Sequence, residues 1–297
     1  MLSKENHLFA VIEAYEKASK AIIITGTGRS GTSIVGQLIH SMCNVEYIFE
    51  PQLLISLSCL IHTLAEKDWK LLYETYLYED FLVNALAARN LNFNKNDDSY
   101  IFYVKSFDEI NERLLRINRK YLTRDLAAKA VIAYKMLDNI DEIRKIKKYY
   151  PLTKVVVMLR CPEDTINSIL QKKWFNGINI VYPYKKHINQ TIPFFVNAED
   201  EAYWLTLNEI DKAAYYYIKI NEQQKNLPDG IFIKYNDLIK NPNLVADELT
   251  DKLNLSYGIL TKDVINKIKP MTNYNNNLGL IKKISSDLRL KLNEFQE

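Results

Sequence analysis

Cysteine and histidine are scarce in this sequence. Its 297 residues include three cysteines and four histidines. Cys43, Cys59 and Cys161 are far apart, form no Cys-x-x-Cys pair and have no histidine at ligand spacing. Neither a disulfide framework nor a zinc site is therefore indicated, and the sequence favours a reducing, cytoplasmic compartment.

Long apolar runs and an excess of one charge are also missing. The longest apolar stretch, residues 53–64, contains polar residues and falls well short of the roughly 20 residues that a membrane-spanning helix needs. The 39 basic and 36 acidic residues leave a net charge of only +3. We therefore expect no nucleic-acid partner and no integral membrane association, so any anion site must be local.

What the sequence does have is a repeated alternation of buried strand and helix. Short apolar runs at 21–25, 45–49, 130–135, 155–159 and 231–235 are typical of strands that are covered on both faces. Helical patterns separate several of them. The sequence therefore predicts an α/β fold in which a parallel β-sheet is flanked by helices.

Two further segments have helical patterns. Residues 7–19 place Leu8, Val11, Ile12 and Tyr15 at spacings of three and four, which predicts a helix with that face packed on the core. Residues of about 52–126 predict a helical insertion over the carboxyl edge of the sheet, broken by an Asn- and Asp-rich stretch at 92–99. Without repeats or linkers, residues 1–297 are expected to form a single domain with its core at about 20–255.

A glycine-containing loop follows the first predicted strand. Gly26 and Gly31 occupy the glycine positions of the phosphate-binding pattern G-x-x-x-x-G-K-[ST], and Ser33 occupies its last position. Glycines let the backbone N–H groups of such a loop converge on an anion at the positive end of the next helix. Thr32 replaces the lysine that contacts a triphosphate, while Arg29 places a cation earlier in the loop. The pattern predicts an anion site but argues against an ordinary ATPase or kinase.

Three other interpretations of these segments stay open. The loop could be a glycine turn that binds nothing, or it could serve a small-molecule kinase or another phosphoryl transferase with a variant loop. A non-catalytic nucleotide-binding module is the third possibility. Residues 94–97, Asn-Lys-Asn-Asp, imitate a guanine-reading motif, but no apolar strand leads into them.

At these residues the sequence resembles the sulfotransferases that use 3′-phosphoadenosine 5′-phosphosulfate (PAPS), whose loop has the form G-x-x-R/K-S-G-T-[ST]. The resemblance implies a sulfotransferase fold like that of the nucleoside triphosphatases with a phosphate-binding loop. It also implies that the 5′-phosphosulfate of the donor is held by Gly28, Arg29, Ser30, Gly31, Thr32 and Ser33.

A second matching segment follows the predicted strand at 155–159. It reads Arg160-Cys161-Pro162, with Ser168 further along a predicted helix, and resembles the family's R-x-P segment and its serine. Arg160 at the end of the strand and Ser168 on the helix could converge on one phosphate. The resemblance implies that this is the 3′-phosphate of PAPS. A third segment, beginning at Tyr235, resembles the family's Y-E-D-L, with Asn236 in place of the usual glutamate.

The resemblance also implies three catalytic residues. Arg29 and Lys135 would stabilise charge on the sulfate, and Glu50, in a Phe-Glu-Pro segment like that of the carbohydrate sulfotransferases, would be the base. A surface lysine and a helix-capping glutamate are the alternative interpretations. The chain looks nearer to the carbohydrate type than to the cytosolic aryl and steroid type, which uses a histidine in a T-H-x-P segment.

The implied ligands follow from the same resemblance. PAPS would be the donor, 3′,5′-adenosine bisphosphate (PAP) the product, and a carbohydrate or small molecule the acceptor. Because the sulfuryl group carries less charge than a phosphoryl group, no metal is expected to be required. Asn275, Asn276 and Lys282 are weaker candidates for nucleotide contacts near the carboxyl end.

Overall fold

A five-stranded parallel sheet lies at the centre of the molecule, with strand order β2-β3-β1-β4-β7. This computed structural model describes residues 8–116, 119–176, 184–187, 189–269 and 279–295. The strands are β1 (Ile22–Gly26), β2 (Val45–Ile48), β3 (Val131–Lys135), β4 (Lys154–Leu159) and β7 (Gly230–Lys234). The predicted α/β fold with a parallel sheet is confirmed. Since all pairs are parallel, the residues that follow each strand meet at one edge of the sheet.

Helices surround the sheet, and a small antiparallel hairpin lies apart from it. The hairpin pairs β5 (Tyr184–His187) with β6 (Gln190–Pro193). The helices are α1 (Ile12–Ser19), α2 (Thr32–His40), α3 (Gln52–Cys59), α4 (Glu66–Thr75), α5 (Asn84–Leu86), α6 (Phe107–Leu115), α7 (Arg119–Lys129), α8 (Ile140–Tyr149), α9 (Pro162–Gln171), α10 (Glu201–Thr206), α11 (Glu209–Lys225), α12 (Tyr235–Lys240), α13 (Pro242–Leu253), α14 (Thr261–Lys267) and α15 (Ser286–Leu292). Among the described residues, no helix is both long and apolar enough to cross a bilayer.

The central strands are buried on both faces. In β1 the side chain of Ile23 packs into one hydrophobic core, and those of Ile22 and Ile24 pack into a second core on the opposite face. All three are at most 1% exposed. Such two-sided burial explains why the strand reads as a continuous apolar run without polar alternation.

The region between β2 and β3 is helical. It contains α3 to α7 and a π-helix at Tyr76–Val83, while residues 92–99 form neither helix nor strand. A buried ion pair joins α6 to the sheet: Arg113 donates from Nη1 and Nη2 to the two carboxylate oxygens of Glu46, at 3.1 and 2.6 Å. Burial alone would raise the pKa of Glu46, but the charges of Lys105 and Arg113 outweigh it and hold that pKa well below its usual range.

The predicted face of the first helix is wrong. Leu8, Ile12 and Tyr15 are 75%, 72% and 50% exposed, whereas Ala14 and Ala18 are fully buried. The helix approaches the core closely through these two small residues, which an argument from large apolar side chains overlooks.

Candidate active site

The loop between β1 and α2 requires its glycines. Gly26 and Gly31 have φ angles of 149° and 99°, in the region that side chains disfavour. A Cβ atom on Gly31 would lie 2.6 Å from the ring of Tyr235, and one on Gly26 would lie 2.8 Å from the carbonyl oxygen of Met158. Both the conformation and the space therefore exclude larger residues at these two positions.

The turn leaves N–H groups free at the start of α2. Ser30 closes the turn, because its N–H and its hydroxyl both donate to the carbonyl of Thr27, at 3.2 and 2.7 Å. Within the part of the chain that the structure describes, the N–H groups of Gly31, Thr32 and Ser33 have no protein acceptor. Together with the helix dipole, these donors make a site for an anion.

Arg29 is held in a left-handed conformation, with φ of 71°. The preceding residue, Gly28, donates its N–H to the hydroxyl oxygen of Tyr216 at 2.5 Å, and the carbonyl of Arg29 accepts from Nη1 of Arg160 at 2.8 Å. The Arg29 side chain donates from Nε to the hydroxyl of Ser168 at 3.0 Å. Burial, followed by the neighbouring charge of Arg160, lowers the pKa of Arg29.

Arg160 and Ser168 lie where the sequence predicts them, after β4 and on α9. The guanidinium of Arg160 lies over the ring of Tyr235, 4.4 Å from its centroid. Its Nε is buried and has no hydrogen-bond partner in the described ranges. A buried N–H group on a cationic side chain that lacks a hydrogen-bond partner is suited to binding an anion.

Lys135 and Glu50 form an ion pair next to Ser33 of the loop. Nζ of Lys135 lies 2.6 Å from Oε1 of Glu50 and donates to the hydroxyl of Ser33 at 3.1 Å. The lysine side chain is only 4% exposed, whereas that of Glu50 is 35% exposed. Burial lowers the pKa of Lys135, and the charge of Glu50 partly opposes that change. Lys135 is therefore a buried cation at the loop and not a surface lysine.

Sequence reasoning missed three residues that contact or support the loop. Trp174 packs so close to Gly28 that a Cβ there would lie 2.2 Å from the indole. Tyr216, whose oxygen accepts the Gly28 N–H, donates its hydroxyl to Oδ1 of Asp138 at 2.5 Å. Asp138 had a signal, since it follows β3 at the carboxyl edge of the sheet. Tyr216 had none, because it lies inside a long helix within a run of three tyrosines.

A cavity of about 640 Å³ opens beside Arg160. It lies between α11, β7 and α12, and its walls include Arg160, Tyr217, Asn221, Phe232 and Tyr235. A volume of this size is within the usual range for a small-molecule pocket.

The remaining sequence candidates come from the carboxyl-terminal part of the sequence. Asn275 and Asn276 lie outside the described residues, and Lys282 is exposed on a 3₁₀ helix at Ile281–Lys283. Within the described ranges, no group of three or more His, Cys, Asp or Glu side chains could hold a metal ion.

A parallel sheet with free N–H groups in the loop after its first strand, and cations at the ends of the neighbouring strands, is typical of proteins that bind an anionic group. The sequence model of the Sulfotransferase family matches residues 21–258. The chain therefore belongs to the sulfotransferase family, and the predicted resemblance is confirmed.

Solved structures of several bacterial sulfotransferases are similar to this chain. The sulfotransferase domain of the Synechococcus PCC 7002 olefin synthase is 12% identical, with 93% of this chain and 92% of that chain covered and a TM-score of 0.49. The sulfotransferase domain from the curacin biosynthetic pathway is 17% identical, with 81% and 76% covered and a TM-score of 0.44. Sulfotransferase STF1 from Mycobacterium tuberculosis H37Rv is 14% identical, with 86% and 73% covered and a TM-score of 0.40. A comparison with curated proteins found no match.

Proposed function

We propose that this protein transfers a sulfuryl group from PAPS to a hydroxyl of a carbohydrate or small-molecule acceptor. One observation carries the proposal: Arg29, Arg160 and Ser168 come from separate segments and are joined by hydrogen bonds at one loop. PAPS has anionic groups at both ends of its nucleoside, so its binding site requires two groups of hydrogen-bond donors that lie close together. Family membership supports sulfuryl transfer, and this contact supports PAPS as the donor.

The two ends of the donor would be held by different residues. The loop from Gly28 to Ser33 would bind the 5′-phosphosulfate through its free N–H groups and its hydroxyls. Arg160 and Ser168 would bind the 3′-phosphate, for which the unpaired Nε of Arg160 is one available donor. Arg29 belongs to the loop and contacts both Arg160 and Ser168, so it would fix the distance between the two groups.

Two cations would stabilise the charge that develops during transfer. In an in-line displacement, the acceptor oxygen forms a bond to sulfur while the bond from sulfur to the bridging oxygen of the donor breaks. Arg29, which belongs to the loop, and Lys135, which donates to Ser33 of the loop, would stabilise the negative charge left on that oxygen. Each charge-assisted hydrogen bond of this kind is worth about 1.5–3 kcal/mol. Because these side chains supply the positive charge, the proposed reaction needs no metal.

Glu50 would accept the proton of the acceptor hydroxyl. Its carboxylate is paired with Lys135 yet remains partly exposed, so an acceptor can reach it. Its backbone is in a left-handed conformation, with φ of 45°. Non-glycine residues in such conformations are concentrated at functional sites, where the surroundings hold them in place.

Calorimetric titration with PAP and with ATP tests the donor assignment. We expect PAP to bind and ATP to bind at least about tenfold more weakly, because the described site has a cation for the 3′-phosphate but no loop lysine for a triphosphate. Tighter binding of ATP than of PAP would contradict the proposal and favour a phosphoryl transferase.

Arg160→Ala tests the assignment of the 3′-phosphate. The variant should lose about 10- to 100-fold in affinity for PAPS and much less for adenosine 5′-phosphosulfate, which has no 3′-phosphate. Arg144→Ala, which removes a cation paired with Asp141 on α8, is the matched control. An equal loss for both nucleotides would remove Arg160 from the 3′-phosphate site.

A further inference from the structure

A series of hydrogen bonds runs from the segment after β3 to the loop between β1 and α2. This loop, residues Gly26 to Ser33, is called the donor loop below. The hydroxyl of Tyr216 donates to Oδ1 of Asp138 at 2.5 Å, and its oxygen accepts the N–H of Gly28, also at 2.5 Å. Tyr216 is only 1% exposed. These hydrogen bonds fix the N–H of Gly28, the residue before Arg29, so they support the loop from outside it.

Asp138, at the end of this series of hydrogen bonds, has an uncommon backbone conformation and several charged neighbours. It is half-buried and has a left-handed backbone, with φ of 65°. Three titratable groups face it: Tyr216 from α11, Glu50 after β2 and Lys135 in β3. Burial is the largest influence and, together with Glu50, raises the pKa of Asp138 to about 7, although Tyr216 and Lys135 act in the opposite direction.

We propose that Asp138 and Tyr216 are positioning residues for the donor loop, and that Asp138 takes up a proton from solvent when an anionic nucleotide occupies the loop. This inference rests on the proposed function, because it takes the occupant to be PAP or PAPS. Neither residue needs to touch the reacting atoms. Both act through the N–H of Gly28 and the conformation of Arg29.

The direction of the proton transfer follows from electrostatics. A bound polyanion adds negative charge near Asp138, and a like charge disfavours the ionised form of a carboxyl group. The bound state therefore holds the proton more tightly than the free state. By linkage, the contribution of Asp138 makes nucleotide affinity rise as the pH falls through about 7. The hydrogen bond to Tyr216 survives protonation, because a neutral carboxyl group keeps an accepting carbonyl oxygen.

Asp138→Asn separates charge from hydrogen bonding, since the amide oxygen can still accept from Tyr216 while the titratable group is gone. We would titrate both proteins with PAP at about pH 7 in buffers of different ionisation enthalpy, which gives the number of protons taken up. Wild type should take up more protons than Asp138→Asn, by at most about half a proton, because a group with a pKa near the working pH is half protonated before binding. Protons exchanged by PAP itself are common to both proteins and cancel. Equal uptake by the two proteins would overturn the proton-linked part of the proposal.

The same pair of proteins gives an affinity test. Between about pH 8 and about pH 6, the affinity of wild type for PAP should rise by up to about tenfold more than that of Asp138→Asn. Asp200→Asn is the matched control, because Asp200 also accepts a tyrosine hydroxyl from α11, that of Tyr215 at 2.6 Å. It should follow wild type. Parallel pH profiles for wild type and Asp138→Asn would contradict the inference.

Tyr216→Phe tests the positioning role, since it removes the acceptor of the Gly28 N–H. We expect about tenfold weaker PAP binding, with Tyr215→Phe on the same helix unchanged. Thermal denaturation would show whether Tyr216→Phe folds, and Asp138→Asn keeps the inference testable if it does not. Unchanged PAP affinity in folded Tyr216→Phe would overturn the positioning role. Absence of PAP binding to wild type would instead contradict the proposed function.

Discussion

Arg29 has a strained backbone at the centre of the site. A non-glycine residue in a left-handed conformation costs about 1 kcal/mol or more and persists when its surroundings fix it. Here Tyr216 fixes the N–H of the preceding residue, and Arg160 fixes the carbonyl of Arg29. With its backbone held in this conformation, Arg29 directs its guanidinium toward Ser168. The strained backbone therefore places a cation beside Arg160 and Ser168, the two residues proposed to bind the 3′-phosphate.

Arg29→Gly tests this link between strain and function. Glycine tolerates the conformation, so the free energy of unfolding should change by no more than about 1 kcal/mol, whereas PAP affinity should fall at least about tenfold. Chemical denaturation and calorimetry would measure the two effects. Ala88→Gly is the control, because Ala88 has a similar φ of 57° in the helical insertion, and it should leave PAP binding unchanged. Retained affinity in Arg29→Gly would contradict a donor role for the arginine.

Glu50→Gln tests the proposed base. The rate of sulfuryl transfer should fall by about 10²–10⁴-fold, because the amide cannot accept the acceptor proton. PAP affinity should not fall, since the change removes a negative charge from an anion site. PAP release from PAPS would measure the rate across a set of hydroxyl acceptors. The control is Glu66→Gln, which removes one member of a surface ion pair with Lys70. An unchanged rate with every accepted acceptor would exclude Glu50 as the base.

At the scale of elements, the parallel sheet brings the site together. The register places Gly26 beside Met158 and Leu159 beside Lys234, so the residues that follow β1, β4 and β7 lie next to one another. The loop, Arg160 and Tyr235 are therefore neighbours although they are far apart in sequence. Each of these strands is a short apolar run, and this is why the sequence could predict them.

Two features, a hairpin and a tertiary contact, could not be predicted from the sequence, for physical reasons. The hairpin of β5 and β6 contains Lys185, Lys186 and His187, whose polar character resembles a loop. The contact from α11 to the donor loop depends on one tyrosine of a helix with ten buried residues. A helical pattern gives the buried face but not the partner of a particular hydroxyl. The positions of the loop after β1 and of Arg160 after β4 could be predicted because local sequence encodes them, whereas the hydrogen bond between Tyr216 and Asp138 arises only from tertiary packing.

Gly31→Ala tests the loop as an element. A Cβ would meet the Tyr235 ring at 2.6 Å in a backbone conformation that disfavours any side chain. We expect PAP affinity to fall at least about tenfold and the free energy of unfolding to fall by about 1–3 kcal/mol. Gly279→Ala is the control, because none of the described residues has an atom within 4 Å of its added Cβ. Normal PAP binding by Gly31→Ala would show that the loop accepts a side chain at position 31, which would contradict the requirement for glycine.

At the scale of the whole molecule, positive charge is local and not general. A net charge of +3 among 75 charged side chains gives little overall attraction for an anion. Arg29, Lys135 and Arg160 supply positive charge where the strands end, and the acidic groups of Glu50 and Asp138 lie near Lys135. A nucleotide bound there would contact segments that follow β1 and β4 together, so its effects should extend across the sheet.

Hydrogen exchange with and without PAP tests this molecular picture. Because one ligand would contact both segments, peptides covering residues 26–34 and 160–170 should gain protection together, with the same dependence on PAP concentration. Peptides from α4, which lies in the helical insertion, should exchange as before and serve as the internal reference. Protection limited to 26–34 would mean that the ligand is an anion at the loop alone, and the contact between Arg29 and Ser168 would then be structural. Joint protection would support a single binding site formed by the loop and the R-x-P segment, which Arg29 links through its contacts with Arg160 and Ser168.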